Sequence, residues 1–215
     1  MSQVVLIIIV ANVLFSMRGF SNQQFFNKNK FQIGSIKKGE YFRMFTSAFL
    51  HVDQMHLIFN MLTLYFFADN VVDAVGIWKF VVIYLVSLLF GGLFTLNYHK
   101  NDLYYSAVGA SGAVMGVLYA AIMLYPEMSL AFMFIPIPIP GYIFGIGYLL
   151  YSIYGMKKSV GNIGHSAHIG GAIGGFAITL LLQPEVFTDN RRMVIILAIP
   201  IILLFVFEKQ LKKQV

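Results

Sequence analysis

Seven apolar stretches punctuate the chain: Ser2–Met17, Val52–Phe67, Val75–Leu96, Val108–Tyr125, Ile139–Tyr154, His165–Leu182 and Met193–Phe207. A helix crossing a bilayer needs about 20 mostly apolar residues, within a range of roughly 17–25. The pattern therefore predicts seven spans, some short enough to imply tilting or a thin local bilayer. Ser2–Met17 has neither a basic segment before it nor a small-residue cleavage site, so it reads as the first span and not as a signal peptide. Among the connectors, Arg18–Leu50 is long and sets Arg18, Lys28, Lys30, Lys37, Lys38 and Arg43 among aromatics, which predicts a segment packed on the membrane surface. The run Ile135-Pro136-Ile137-Pro138-Ile139-Pro140-Gly141 cannot be continuous helix, because alternate prolines remove donors and hold their predecessors extended.

Composition supports this reading. Of 215 residues, 59% are hydrophobic and 11% charged, against roughly 45–50% and 25% in soluble domains. That excess predicts an all-α polytopic membrane protein, one membrane domain over residues 1–215. The absence of cysteine excludes a disulfide framework, thiol catalysis and Cys-ligated zinc. A net charge of +6 on so few charged residues suits the headgroups of a lipid bilayer and not nucleic acid.

Polar residues inside spans are costly and mark function by default. The second span opens His51-Val52-Asp53-Gln54-Met55-His56, with Asn60 one turn beyond His56 and on its face. The fourth opens Gly109-Ala110-Ser111-Gly112, and the sixth His165-Ser166-Ala167-His168-Ile169-Gly170-Gly171. Spans two, four and six run the same way through the bilayer, so His56, Asn60, Ser111 and His168 share one leaflet. Gly171 with Gly175, Gly170 with Gly174, and Gly112 with Gly116 are small residues at the spacing that lets helices approach closely. Such packing would bring His168 to Ser111 as base to nucleophile. No acid stands at helical spacing from His168, so a dyad is the economical arrangement. The N–H of Ser111, His56 and Asn60 are the candidate oxyanion donors. Taken singly, each has a plainer role: a serine bonding to its own backbone, a histidine or asparagine linking helices. The coincidence of depth across three helices argues for chemistry. His51 and His165 read as headgroup-level histidines.

These motifs, in this order, resemble the rhomboid intramembrane serine proteases over roughly residues 4–182. The resemblance implies a six-helix core with Met193–Phe207 (193–207) as a seventh, C-terminal transmembrane helix. It implies Ser111 as nucleophile, His168 as base, His56 and Asn60 at the oxyanion, and Gly171 and Gly175 in helix packing. No metal and no cofactor is expected, and the implied substrates are single-span transmembrane proteins. Two positions depart from the family. Phe42-Arg43 stands where a Trp-Arg pair is usual, and Met115 stands where an aromatic usually supports the base.

A proline-interrupted approach and Gly141, Gly145 and Gly147 make the fifth span the expected movable wall, with Phe144 and Tyr148 on it. The resemblance also implies a multi-pass protein of the plasma (inner) membrane whose site faces away from the cytoplasm. Charge points the other way, since that orientation leaves only Lys79, Arg191 and Arg192 inside. A membrane transporter or a non-catalytic rhomboid-like scaffold are the rival readings. No inverted repeat supports the first, and the retained Ser and His argue against the second. There is no His-Glu-x-x-His for a zinc protease.

Overall fold

The structure, a computed structural model, describes residues 1–132, 135–158, 160–161 and 163–206. In chain order its helices are α1 (Gln3–Ser21), α2 (Gln23–Asn29), α3 (Ile33–Lys37), α4 (Arg43–Thr46), α5 (Gln54–Val75) and α6 (Ile77–Tyr98). They continue with α7 (Ser111–Leu124), α8 (Gly141–Lys158), α9 (His165–Leu182), α10 (Glu185–Asp189) and α11 (Arg191–Val206). Four of them, α1, α5, α6 and α9, are long and apolar enough to cross a membrane. The expected end of the last span at Phe207, and Lys209, Lys212 and Lys213 beyond it, lie outside the described residues.

The protein is mostly helical, as expected, with two short antiparallel ribbons added. β1 (Phe31–Gln32) pairs antiparallel with β2 (Ser106–Ala107), and β3 (Ser129–Phe132) with β4 (Ile135–Pro140). The second pair is the proline run in the extended backbone that alternate prolines impose. The first clips the long connector to the segment leading into α7. A second difference is the length of α5, which continues past Phe67 through Asp69 and Asn70. The Asp69 carboxylate accepts the Ser2 N–H at 2.8 Å, so a polar turn is accommodated inside the helix. Gly76, at φ 82°, then ends it.

The connector after α1 is folded. Arg43 is buried; its Nε donates to Glu40 Oε2 at 2.6 Å, and its Nη1 donates to the carbonyls of Asn27 and Lys30 at 2.8 and 3.0 Å. Three donors of one guanidinium thus gather α2, the following turn and α4 into one unit. That unit rests beside the start of α7.

α7 is central. It has 14 residues, and every one from Gly112 to Met123 is buried. One apolar cluster fills the space among α5, α6 and α7, and another lies among α7, α8, α9 and α11. Glycines set the spacing of α9. A Cβ at Gly171 would overlap the Gly112 carbonyl, and one at Gly175 would overlap the Gly116 backbone. On its other flank, a Cβ at Gly174 would stand 2.7 Å from Phe90 Cβ, so α6 presses equally close. Helices in lipid associate through such contacts, having no hydrophobic drive between them.

Candidate active site

The nucleophile candidate sits where the chain turns from β2 into α7. Gly109 makes that turn at φ 130°, a conformation that disfavours any side chain. A Cβ there would lie 2.7 Å from Cε1 and 2.9 Å from Nε2 of His56, and 3.7 Å from Ser111 Oγ. The His56 ring therefore lies over the bare face of Gly109, beside the Ser111 hydroxyl. Asn60 is buried one turn below, its Nδ2 donating to the His56 carbonyl at 2.9 Å. That bond uses one amide hydrogen and leaves the other. Asp53 caps α5 by accepting the His56 N–H at 2.7 Å, which sets the register of the His56–Asn60 face.

His51, read above as a headgroup-level histidine, is packed inside the protein. It is fully buried, and its Nε2 accepts the Ala110 N–H at 3.4 Å, one residue before Ser111. Nδ1 must then carry the proton and donate to Ser16 Oγ at 2.8 Å, while that hydroxyl donates to the Phe49 carbonyl at 2.9 Å. Burial, then the neighbouring His56, push the His51 pKa down to about 3 against the pull of Asp53, so the ring is neutral at physiological pH. A neutral ring suits a role as donor and acceptor at once. His165 is also buried, its Nε2 3.1 Å from the Val160 carbonyl. Both histidines stand at the ends of predicted spans, which is why they read as headgroup-level residues.

The first turns of α7 and α9 meet. A Cβ at Gly112 would stand 3.2 Å from the Ala167 carbonyl, so the neighbours of Ser111 and of His168 are in contact. Thr95 of α6 and Ser166 of α9 share a hydrogen bond of 3.0 Å that braces the same turn. His168 is buried, and its Nδ1 lies 3.2 Å from Tyr148 Oη of α8. The two rings are 5.5 Å apart. Met115 does lie buried in α7, but the aromatic partner of His168 comes from another helix. Ser111 and His168 form no hydrogen bond to each other in this structure.

One cavity touches Ser111, and a second shares Ala107, Val108 and Gly164 with it. The first, of about 40 Å³, is bounded by Ser47, Thr95, Gly109, Ser111, Gly112 and Ala167, room for a water or two beside the hydroxyl. The other, about 370 Å³, opens between the folded connector and the approach to α9, with Lys30, Val52, Ser106, Val108, Gly161 and Gly164 on its walls. Among the described residues no cluster of His, Asp and Glu has the makeup of a metal site.

Gly109, His51 and Tyr148 stand in the motifs and on the fifth span, but the sequence did not show the contacts they make at the site. Gly109 had a signal, the glycine two residues before the serine. Tyr148 and Tyr151 repeat the i, i+3 spacing of His165 and His168, a weaker one.

A family model described as the Rhomboid domain matches residues 38–185. The chain belongs to the rhomboid family. It is 32% identical over 186 residues to "RHOMBOID-like protein 12, mitochondrial" of Arabidopsis thaliana, covering 79% of this chain and 55% of that protein. It is 33% identical over 161 residues to "Rhomboid protease GluP" of Bacillus subtilis, covering 74% and 29%. It is 30% identical over 149 residues to "Rhomboid protein 1, mitochondrial" of Saccharomyces cerevisiae, covering 68% and 43%. The chain thus spans about half or less of the length of these relatives. Two of the three are mitochondrial by name, which does not fit the expectation of a plasma membrane; the apolar helices establish a membrane protein.

Proposed function

We propose that the protein is an intramembrane serine endopeptidase that cleaves single-span membrane proteins in or near their transmembrane segments. The observation that carries this reading is the convergence of Ser111, His56 and the His168 turn about Gly109, Gly112 and Ala167. In the proposed step Ser111 Oγ attacks the scissile carbonyl carbon as its proton passes to His168 Nε2. The developing oxyanion takes hydrogen bonds from the Ser111 N–H, His56 and the free Asn60 amide hydrogen. Collapse transfers the proton from His168 to the leaving nitrogen, and water, deprotonated by the same base, hydrolyses the acyl ester.

The core comprises α1, α5, α6, α7, α8 and α9, with α11 as a seventh span. A 14-residue helix rises only ~21 Å, against a hydrocarbon thickness of about 30 Å. The start of α7 is thereby sunk below one membrane surface, and water reaches it from the 370 Å³ cleft, which shares Ala107, Val108 and Gly164 with the small cavity beside Ser111. Substrate passes laterally between α5 and α8, since α8 is held chiefly by α9 and α11. The site opens on the face away from the cytoplasm, following the family against the charge distribution.

One observation favours a second reading, a non-catalytic rhomboid scaffold: the Ser111–His168 hydrogen bond is not formed. Catalytic hydrogen bonds often tighten only with substrate bound. Labelling with a fluorophosphonate probe separates the two. The protease labels on Ser111 and loses labelling in Ser111→Ala and His168→Ala; a scaffold is unlabelled throughout.

A further inference from the structure

We propose that Tyr148, on α8, the wall read above as the substrate gate, is a positioning residue for the base, so that His168 is held in its working orientation only while α8 is closed against α9. The inference rests on the protease reading above and adds to it a coupling between access and chemistry.

A base that takes the Ser111 proton at Nε2 must carry its own proton on Nδ1. In a buried site that N–H needs an acceptor, or the ring loses the tautomer it requires. Tyr148 Oη, 3.2 Å from Nδ1, fills that place, and the ring contact at 5.5 Å fixes the plane. No carboxylate hydrogen-bonds His168 among the described residues. The orienting group therefore comes from the very helix that must move for substrate to pass.

The surrounding packing shows how α8 delivers it. Tyr148 and Tyr151 stand three apart on α8, and His165 and His168 three apart on α9, so each pair occupies one helical face. The four rings form a clasp across the seam, with Tyr148–Tyr151 centroids at 6.2 Å, Tyr151–His165 at 5.3 Å and His165–His168 at 6.1 Å. Gly155 makes room for it, since a Cβ there would overlap the His165 ring. Phe144 stacks on Tyr148 at 5.7 Å one turn before. An outward shift of α8 by about 1 Å takes the 3.2 Å contact beyond hydrogen-bond range. An open gate thus leaves the base disoriented, and attack waits for closure over the substrate.

The test is Tyr148→Phe in the full-length protein, which keeps the ring and removes the oxygen. Three quantities are measured: the rate of Ser111 labelling by a small fluorophosphonate, kcat and KM on a transmembrane substrate, and the melting temperature. Labelling rate and kcat should fall together by about 10-fold, with KM changed less than about twofold and melting unchanged. Tyr151→Phe, which keeps the clasp rings and has no bond to the base, should label at the wild-type rate. Unchanged or faster labelling in Tyr148→Phe overturns the proposal, because Tyr148 is then part of the gate alone. Equal losses in both variants, tracking a lower melting temperature, overturn it as well, since that is the pattern of general seam packing. Absence of Ser111-dependent labelling in the wild type defeats the protease reading itself. Ser111-dependent labelling untouched by Tyr148→Phe defeats only the coupling.

Discussion

Gly109→Ala perturbs the candidate site by one methyl group, and its consequences follow from the geometry. The added carbon stands 2.7 and 2.9 Å from two atoms of the His56 ring, closer than carbon atoms tolerate, and 3.7 Å from Ser111 Oγ, an ordinary contact. The ring must therefore swing away while the hydroxyl stays. A side chain at φ 130° adds strain, of order 1–3 kcal/mol. Loss of one oxyanion donor costs about 2.7–4 kcal/mol of transition-state stabilisation, or roughly 10²- to 10³-fold in turnover. The variant should thus lose at least about 100-fold in kcat on a fluorogenic transmembrane substrate, and melt lower by the backbone strain alone. Because the methyl acts through His56, Gly109→Ala placed on a His56→Ala background should cost little further turnover. A variant within about fivefold of wild-type kcat, or full additivity with His56→Ala, would refute the assignment of His56 to the oxyanion.

Other outcomes follow from the same geometry. Gly175→Leu should destabilise by at least ~1–3 kcal/mol, the cost of overpacking a tight contact, and thermal denaturation of the detergent-solubilised protein reads it. Arg43→Met should lower stability by roughly 1–3 kcal/mol, since two carbonyls and Glu40 lose a charged donor, and should increase proteolysis within residues 22–50. Paired cysteines joining α5 to α8, introduced into a chain that has none, should suppress cleavage of transmembrane substrate when oxidised and restore it on reduction; cleavage as fast in the oxidised form excludes α8 as the gate. A single cysteine at position 106, on the wall of the larger cleft, should react with a membrane-impermeant maleimide from the non-cytoplasmic side. Protection there reverses the orientation.

The helical layout was largely legible because burial in lipid demands long apolar runs, and the sixth span, His165–Leu182, coincides with α9. Its glycines were legible for the same reason, since close helix contact in lipid requires small residues at fixed spacing. The folded connector was not. Arg43 was singled out, but its partners are backbone carbonyls of Asn27 and Lys30, and no side-chain pattern records where a carbonyl points. The pairing of Phe31–Gln32 with Ser106–Ala107 is two residues long and joins distant segments, too little to show as alternation. His51 and His165 each stand at the end of a predicted span, and their burial depends on Ser16 and Gly155 arriving from other helices. Tyr148 looked like part of an apolar wall. Its hydroxyl matters only through the register of α8 on α9, which tertiary packing sets.

The most direct measurement is cleavage of a single-span substrate co-reconstituted with the purified protein in liposomes, with the product ends identified by mass spectrometry. Scission at one bond in or near the substrate's transmembrane segment is expected for the wild type. Ser111→Ala, His168→Ala and the double variant should be inactive to the same extent while folding normally, because each removes the same covalent step. Equal cleavage by wild type and Ser111→Ala, or none by a correctly folded wild type across several substrates, would contradict the protease reading.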